Sequence, residues 1–513
     1  MLAPTLAARA APRTGRLASG GRAPPTMRRT VPVLCVALAA CATEPPAPPQ
    51  LPQPAQYTAA PLAPQADVPG VPGGQAQRLA AGQAVPALWW TLFRSPALDA
   101  LVRRALDASP TLARAQARLR QAQEDWSARS GATQWPQVDA KLLADRIDVN
   151  PQSLGVGLPL NTPFNLYLAS VGVSYTFDLF GAVRNELGAL RAEIDHQQYE
   201  LEAARLMLAG NVVTAAIREA QLREQIASIE QIVALQGRQL AIVERLQQLG
   251  TAARADVVAQ RLDLAQSRAA LPELQRQLDA VRHRLAVYTA QAPGDAQLPE
   301  FRLADLQLPT ELPLSLPSEL ARQRPDIRAA EAVLQQAGAR VGVATANLYP
   351  QLTLSATVGS IGSSNGGDLF AGGSGFYLLG ATLAQPLFRG GELQARRRAA
   401  VAAYEQAGAA YQEAVLQGLQ NVADTLRALD ADAKKLAERA DAAAQATASH
   451  DIAAARFEAG GISHYALLDA QRRLQAALLD RTQAVADRYA DSAALLQALG
   501  GGWWQQQADA APR

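Results

Sequence analysis

Two cysteines, Cys35 and Cys41, and four histidines are all that 513 residues contain of these types. Cys35 falls inside a stretch that reads as a cleaved leader. The chain that remains has no second thiol, so disulfides are excluded even in an oxidising compartment. His196, His283, His450 and His464 lie on different helical stretches, none at the spacing of a metal site. A phosphate-binding loop and a nucleophile elbow are also lacking. These absences leave an enzymatic function, a cofactor or a metal without support. The apolar stretch at 31–40 is too short to cross a bilayer and fits a secretory signal instead.

That signal begins at the basic run Met27-Arg28-Arg29 and ends in Leu38-Ala39-Ala40-Cys41, which looks like a bacterial lipoprotein box. The box implies cleavage before Cys41 and a lipid on its sulfur. Ala42 follows, where Asp often marks inner-membrane retention, so the address resembles the outer membrane. Residues 1–26 resemble no targeting signal and read as a start codon assigned too far upstream. Six arginines precede Cys41 and no acid does, so cleavage takes the basic residues from 48 to 42 against 46 acidic ones. The net charge moves from +2 to about −4. The basic pI therefore belongs to the leader and says nothing of nucleic acid. From 41 to 86 the chain is rich in Pro, Ala and Gln and reads as an extended tether.

The rest of the chain is duplicated at a distance of about 210 residues. Trp135-Pro136-Gln137 recurs as Tyr349-Pro350-Gln351. Asp178-Leu179-Phe180-Gly181 recurs as Pro386-Leu387-Phe388-Arg389-Gly390. Arg245 through Gly250, with Ala259-Gln260-Arg261, recurs as Arg456 through Gly461, with Ala470-Gln471-Arg472. Copy one covers 87–291, a Pro-rich linker 292–316, copy two 317–503, and a tail 504–513.

Each copy predicts the same order of elements. A helix, at 96–131 in copy one, leads into two strands, at 138–149 and 167–178 in copy one and 352–360 and 377–385 in copy two. In 167–178 the odd positions Tyr167, Ala169, Val171, Val173, Tyr175 and Phe177 are apolar and the even ones mainly small and polar. About ten residues suit a tilted transmembrane β-strand. Four strands cannot close a barrel, and an open sheet would leave unpaired backbone in lipid. Several chains must therefore share one barrel, unless the strands are two soluble hairpins on a coiled-coil protein.

Long helices follow at 183–249 and 392–459, each roughly 100 Å at ~1.5 Å per residue. Leu222, Ile226, Ile229, Val233, Leu240 and Val243 follow coiled-coil spacing, as do Leu271, Leu274, Leu278, Val281 and Leu285 on the return helix. Pro272 inside that helix predicts a kink or a break. The first and return helices together match the long one. The path is thus a climb to the membrane, a hairpin through it, a full descent, a turn at the tip and a return to the middle.

These residues resemble the TolC-like outer-membrane factors, in particular the NodT-type lipoproteins of multidrug efflux systems. Leu316-Pro317-Ser318-Glu319-Leu320 and Arg324-Pro325-Asp326-Ile327-Arg328 match the opening of the family's second repeat. Leu348-Tyr349-Pro350-Gln351-Leu352 matches its helix-to-strand junction, and Phe177-Asp178-Leu179-Phe180-Gly181 its exit from the first hairpin. Arg456-Phe457-Glu458-Ala459-Gly460 with Leu467-Leu468-Asp469-Ala470-Gln471-Arg472 is similar to the second tip turn, and Ala498 through Trp503 to the C-terminal signature.

The resemblance implies a mainly α chain with membrane β-hairpins. Three chains would share a twelve-stranded barrel on a long α-helical barrel, with a mixed equatorial region. It implies a homotrimer in the outer membrane, a periplasmic adaptor, and an inner-membrane pump of the resistance-nodulation-division type. The duct itself would use no energy and no cofactor.

Family tubes often narrow at the tip through acidic residues, but the second turn here reads Gly460-Gly461-Ile462-Ser463-His464, with no acid. The first reads Gly250-Thr251 after Leu249. Ile462 is either an apolar, water-excluding constriction or a residue packed between helices. Asp256 and Asp469 read as pore acids or as solvated positions near a helix start. His464 reads as a surface histidine, and Arg396-Arg397-Arg398 as a solvated face or an anionic-lipid contact. Three functions stay open: an efflux exit duct, a type I protein-secretion duct, and a coiled-coil lipoprotein without a pore.

Overall fold

Two helices of 67 residues each set the length of this protein, whose computed structural model describes residues 51, 54–62, 65–148, 163–363 and 365–505. The leader, Cys41 and residues 42–50, 52–53 and 63–64 of the tether lie outside the described residues. In chain order the main elements are β1 (Arg78–Ala81), α1 (Pro96–Ala108), α2 (Pro110–Gln134), β2 (Gln137–Ile147), β3 (Phe164–Phe177), α3 (Ala182–Gln248) and α4 (Arg254–Tyr288). There follow β4 (Glu311–Leu314), α5 (Pro317–Gln323), α6 (Pro325–Ala346), β5 (Gln351–Gly362), β6 (Gly375–Ala384), α7 (Glu392–Glu458) and α8 (His464–Ala498). The return helices α4 and α8 have 35 residues each.

Proline decides two boundaries. The single helix expected over 96–131 is two helices, because Ser109 is extended (φ −62°, ψ 123°) before Pro110. A residue before proline is pushed out of the helical region, and the proline ring then starts the next helix. Arg324 before Pro325 breaks copy two in the same way. Pro272 does not break α4, which runs through it. The ring sits on the exposed side, and packing along α3 holds the helix despite one lost backbone bond.

α3 packs against α2 and α6 in its membrane-side half and against α4 and α8 in its lower half. α7 packs against α6 and α8. Of the coiled-coil stripe, Leu222, Ile229, Val243, Val281 and Leu285 are buried. Ile226, Val233, Leu240, Leu271, Leu274 and Leu278 are half-buried.

Midway along the helices sits a mixed α/β belt. β1 pairs in parallel with β4, and Trp89, Phe93, Leu98, Phe301, Leu306 and Leu312 join α3, α7 and α8 in one core. The stretches read as tether and linker therefore supply part of this belt. Alone they bury too little to fold, but against preformed helices Leu62, Val71 and Leu79 find apolar partners. Arg488 of α8, fully buried, fixes the strap. It donates to Gly73 O (3.0 Å), Gln75 O (2.8 Å) and Gln65 Oε1 (2.7 Å).

Just beside it, Asp432 of α7 faces Asp491 of α8, with Asp487 and Lys435 close by. Burial first, then Asp491, pushes the Asp432 carboxyl up to about 7, and burial raises Asp491 too. A carboxyl raised in the folded state holds its proton there, so stability is full below the ordinary value of 3.8. It is lost as pH rises through about 7. Asp432→Asn is expected to raise the melting temperature at pH 8 and leave it nearly unchanged at pH 4. A pH-resolved thermal melt in detergent checks this, and an equal shift at both pH values would contradict it.

Candidate functional site

The four long strands form one antiparallel sheet in the order β2-β3-β5-β6. Its register decides what each face presents. Val138 pairs with Val173, Ala140 with Val171 and Leu142 with Ala169. Val173 pairs with Ala356 and Val171 with Val358, and these pair with Leu379 and Tyr377. One face is thus apolar from edge to edge. The other carries Asp139, Lys141 and Asp145, then Ser170, Ser174 and Thr176, then Thr353, Ser355 and Thr357, and Thr382. Thr176 and Thr353 are hydrogen-bonded across that face (Oγ1 to Oγ1, 3.0 Å). That face also carries Leu143, Leu166, Leu168, Ile361 and Leu378, so it is mainly polar rather than wholly so. Strands of 10 to 14 residues with one apolar and one mainly polar face match a lipid-facing wall around water. Among the described residues no helix is long and apolar enough to cross a membrane.

At the far end of the helices lie the two tip turns. Both close in the same six-residue hydrogen-bond pattern. In the first, Gly250 N–H donates to Gln247 O (3.0 Å) and Thr251 N–H to Leu246 O (2.9 Å). In the second, Gly460 N–H donates to Phe457 O (2.9 Å) and Gly461 N–H to Arg456 O (2.8 Å). This helix stop needs a left-handed residue, supplied by Gly250 (φ +79°) and Gly460 (φ +72°). The equivalent of Gly250 is therefore Gly460, one residue before the Gly461 that the sequence repeat pairs with it.

The next helices start with local caps. Asp256 accepts from Ala253 N–H (3.1 Å) and Ser463 Oγ from Ala466 N–H (3.3 Å). Asp469 pairs with Arg473 (2.8 Å) on an exposed turn, and Ile462 is half-buried. His464 is buried against Phe457 (ring centroids 5.3 Å apart), not on the surface. Burial lowers its pKa, against the opposing pull of Asp256 and Asp263.

Above the turns lies a polar layer that sequence reasoning did not pick out. Asp263 of α4, 2% exposed in its side chain, pairs with Arg472 of α8 (Nε to Oδ1, 3.1 Å). Gln471 donates to Gln239, and buried Gln260 donates to Gln236 O (3.2 Å). The repeated Ala-Gln-Arg triplets at 259–261 and 470–472 carried the signal, but spacing alone does not reveal which residues are buried. Far above, Arg396 pairs with Glu392 (2.6 Å), while Arg397 and Arg398 are exposed.

A two-faced membrane sheet continuous with helices of about 100 Å defines a class of protein, the outer-membrane channel with a long helical extension. The chain belongs to the outer membrane efflux protein family, whose model matches residues 101–291 and 316–501. It is 33% identical over 439 residues to the pyoverdine export outer membrane protein OpmQ of Pseudomonas aeruginosa, covering 84% of this chain and 91% of that protein. It is 26% identical over 426 residues to the probable outer membrane lipoprotein SilC of Salmonella typhimurium, covering 81% and 88%. Its fold matches the solved outer-membrane channel OprN with a TM-score of 0.77 and 27% identity, over 89% of this chain and 99% of that one.

Proposed function

We propose that this protein is the passive exit duct of a tripartite efflux system. A homotrimer closes the sheet into a twelve-stranded barrel and receives small toxic compounds from a periplasmic adaptor and a proton-driven inner-membrane pump. The observation that carries this reading is the sheet register, which lines one face with Ser, Thr and Asp and the other with Val, Leu and Tyr. It performs no catalysis and binds no cofactor. The name of the pyoverdine relative supports a small molecule as cargo, and nothing finer is carried over.

In this reading Cys41 carries the lipid, because Leu38-Ala39-Ala40-Cys41 closes the apolar signal stretch as a lipoprotein box does. Mass spectrometry of the mature N-terminus is expected to find the lipid on Cys41, and an unmodified Cys41 would refute the assignment.

The tip turns, with Gly250, Thr251, Gly460, Gly461, Ile462 and Ser463, are the adaptor-facing end. The Asp263–Arg472 bridge holds the two return helices together as the closed aperture. Asp256 and Asp469 serve helix starts and local pairing rather than a pore ring.

The test is purified full-length protein in a planar bilayer, with single-channel conductance and native mass as readouts. Trimers with discrete conductance are expected; monomers without conductance would refute the duct. In cells, deletion is expected to raise drug accumulation. Blocked export of a secreted protein with unchanged drug sensitivity would favour a secretion duct.

A further inference from the structure

We infer that β6 pairs with β2 of a second copy in a register that sets Leu383 opposite Leu142 of that copy. The inference rests on the trimeric reading above and adds what that reading leaves open, the stagger of the closed barrel.

The chain already contains one junction between its two copies. β3 pairs with β5, α3 packs on α6, and α3 packs on α8. Repeating that junction between chains sets β6 on the next β2, and α7 on the next α2 and α4.

The register follows from the two hairpins. Gln137 pairs with Ser174 in the first and Gln351 with Ala384 in the second. Superposing the hairpins therefore maps β2 onto β5 by Gln137 onto Gln351, and β3 onto β6 by Ser174 onto Ala384. The glycines that open the long helices confirm it. Gly181 (φ +82°) and Gly391 (φ +83°) each lie seven residues past the mapped pair. Under this mapping Val173 becomes Leu383 and Ala356 becomes Leu142. Val173 is paired with Ala356, so Leu383 meets Leu142.

The Leu-Phe motif gives a different answer. Aligning Leu179-Phe180 with Leu387-Phe388 shifts β6 by two residues and sets Leu383 opposite Ala140. The structure rejects that alignment, because Arg389-Gly390 are extra residues between the motif and the helix. An odd shift is excluded too, since it would turn the apolar face of β6 onto the polar face of β2. With the inferred register every hairpin step carries the same stagger. Crossing from Gln137 through Ser174 leads to Ser355, four residues past the equivalent Gln351. Equal steps give a barrel of uniform tilt, and stagger sets its tilt and diameter.

Directly paired residues lie about 4.5 or 5.5 Å apart at Cα, inside the range a disulfide spans. The chain from 42 onward contains no cysteine, so introduced pairs report without background. Full-length protein in outer-membrane vesicles, oxidised with copper phenanthroline, is expected to give covalent dimers and trimers from Leu142→Cys with Leu383→Cys. All pairs on one face share one spacing, so Lys141→Cys with Ala384→Cys tests the other spacing on the polar face. Ala140→Cys with Leu383→Cys is expected to give several-fold less product. Stronger product from that slipped pair, or a trimer by native mass with no product from either inferred pair, overturns the register and leaves the duct standing. Monomers by native mass, with no product from any pair, overturn both.

Discussion

Arg488→Met is expected to be the most destabilising single change outside the membrane sheet, by about 3–5 kcal/mol, since several acceptors each lose a hydrogen bond from a charged donor, worth about 1.5–3 kcal/mol apiece. The guanidinium is fully buried, and burial pulls its pKa down, but the group remains charged. It satisfies two carbonyls, Gly73 O and Gln75 O, and the side chain of Gln65. Methionine fills similar volume but donates nothing, so those acceptors lose their partners. The strap between 65 and 77 should then be cut by a protease that spares the parent protein. Arg488→Lys should rescue little, because one ammonium cannot reproduce a planar fork. Tyr489→Phe, next in sequence, removes a single bond to Leu306 O (3.0 Å) and should cost about 1 kcal/mol. Chemical denaturation with limited proteolysis checks the series, and equal stability of Arg488→Met and Tyr489→Phe would refute this role.

Arg472→Leu is expected to open the tip. The bridge to Asp263 joins α4 to α8, the helices that start at the two turns. Without Arg472 the Asp263 carboxylate stays buried and unpaired. Arg472 is half exposed, which screens the pair, so the cost is set at about 2 kcal/mol, below that of a fully buried pair. Single-channel conductance should rise several-fold and the melting temperature should fall. Asp263→Leu combined with Arg472→Leu should keep the high conductance while recovering most of the stability, because no charge is left stranded. This separation distinguishes a gate from a structural contact. Unchanged conductance in both variants would remove the bridge from the aperture.

Much of the fold was legible in the sequence because it rests on periodicity. Alternation in 167–177 gave β3 and its apolar face, and the 210-residue repeat gave two long helices whose ends fall within one residue of expectation. Where reading failed, the reason was local stereochemistry or burial by distant residues. Ser109-Pro110 ended a helix that composition alone continues. Pro272, the more conspicuous proline, left its helix whole because tertiary packing outweighs one lost bond. His464 looked like a surface residue and is buried beside Phe457.

The sequence by itself determined the element order, the duplication, the strand lengths and the family, since all of these follow from patterns among near neighbours. It also carried Gly250 and Gly460, because a left-handed turn demands glycine wherever it occurs. Tertiary structure alone decided that Arg488 clamps the strap, that Asp263 meets Arg472, and that the copies align two residues away from their shared Leu-Phe motif. Each joins residues far apart in the chain, and their partner, burial or register is set by how helices and strands pack, which no local spacing encodes.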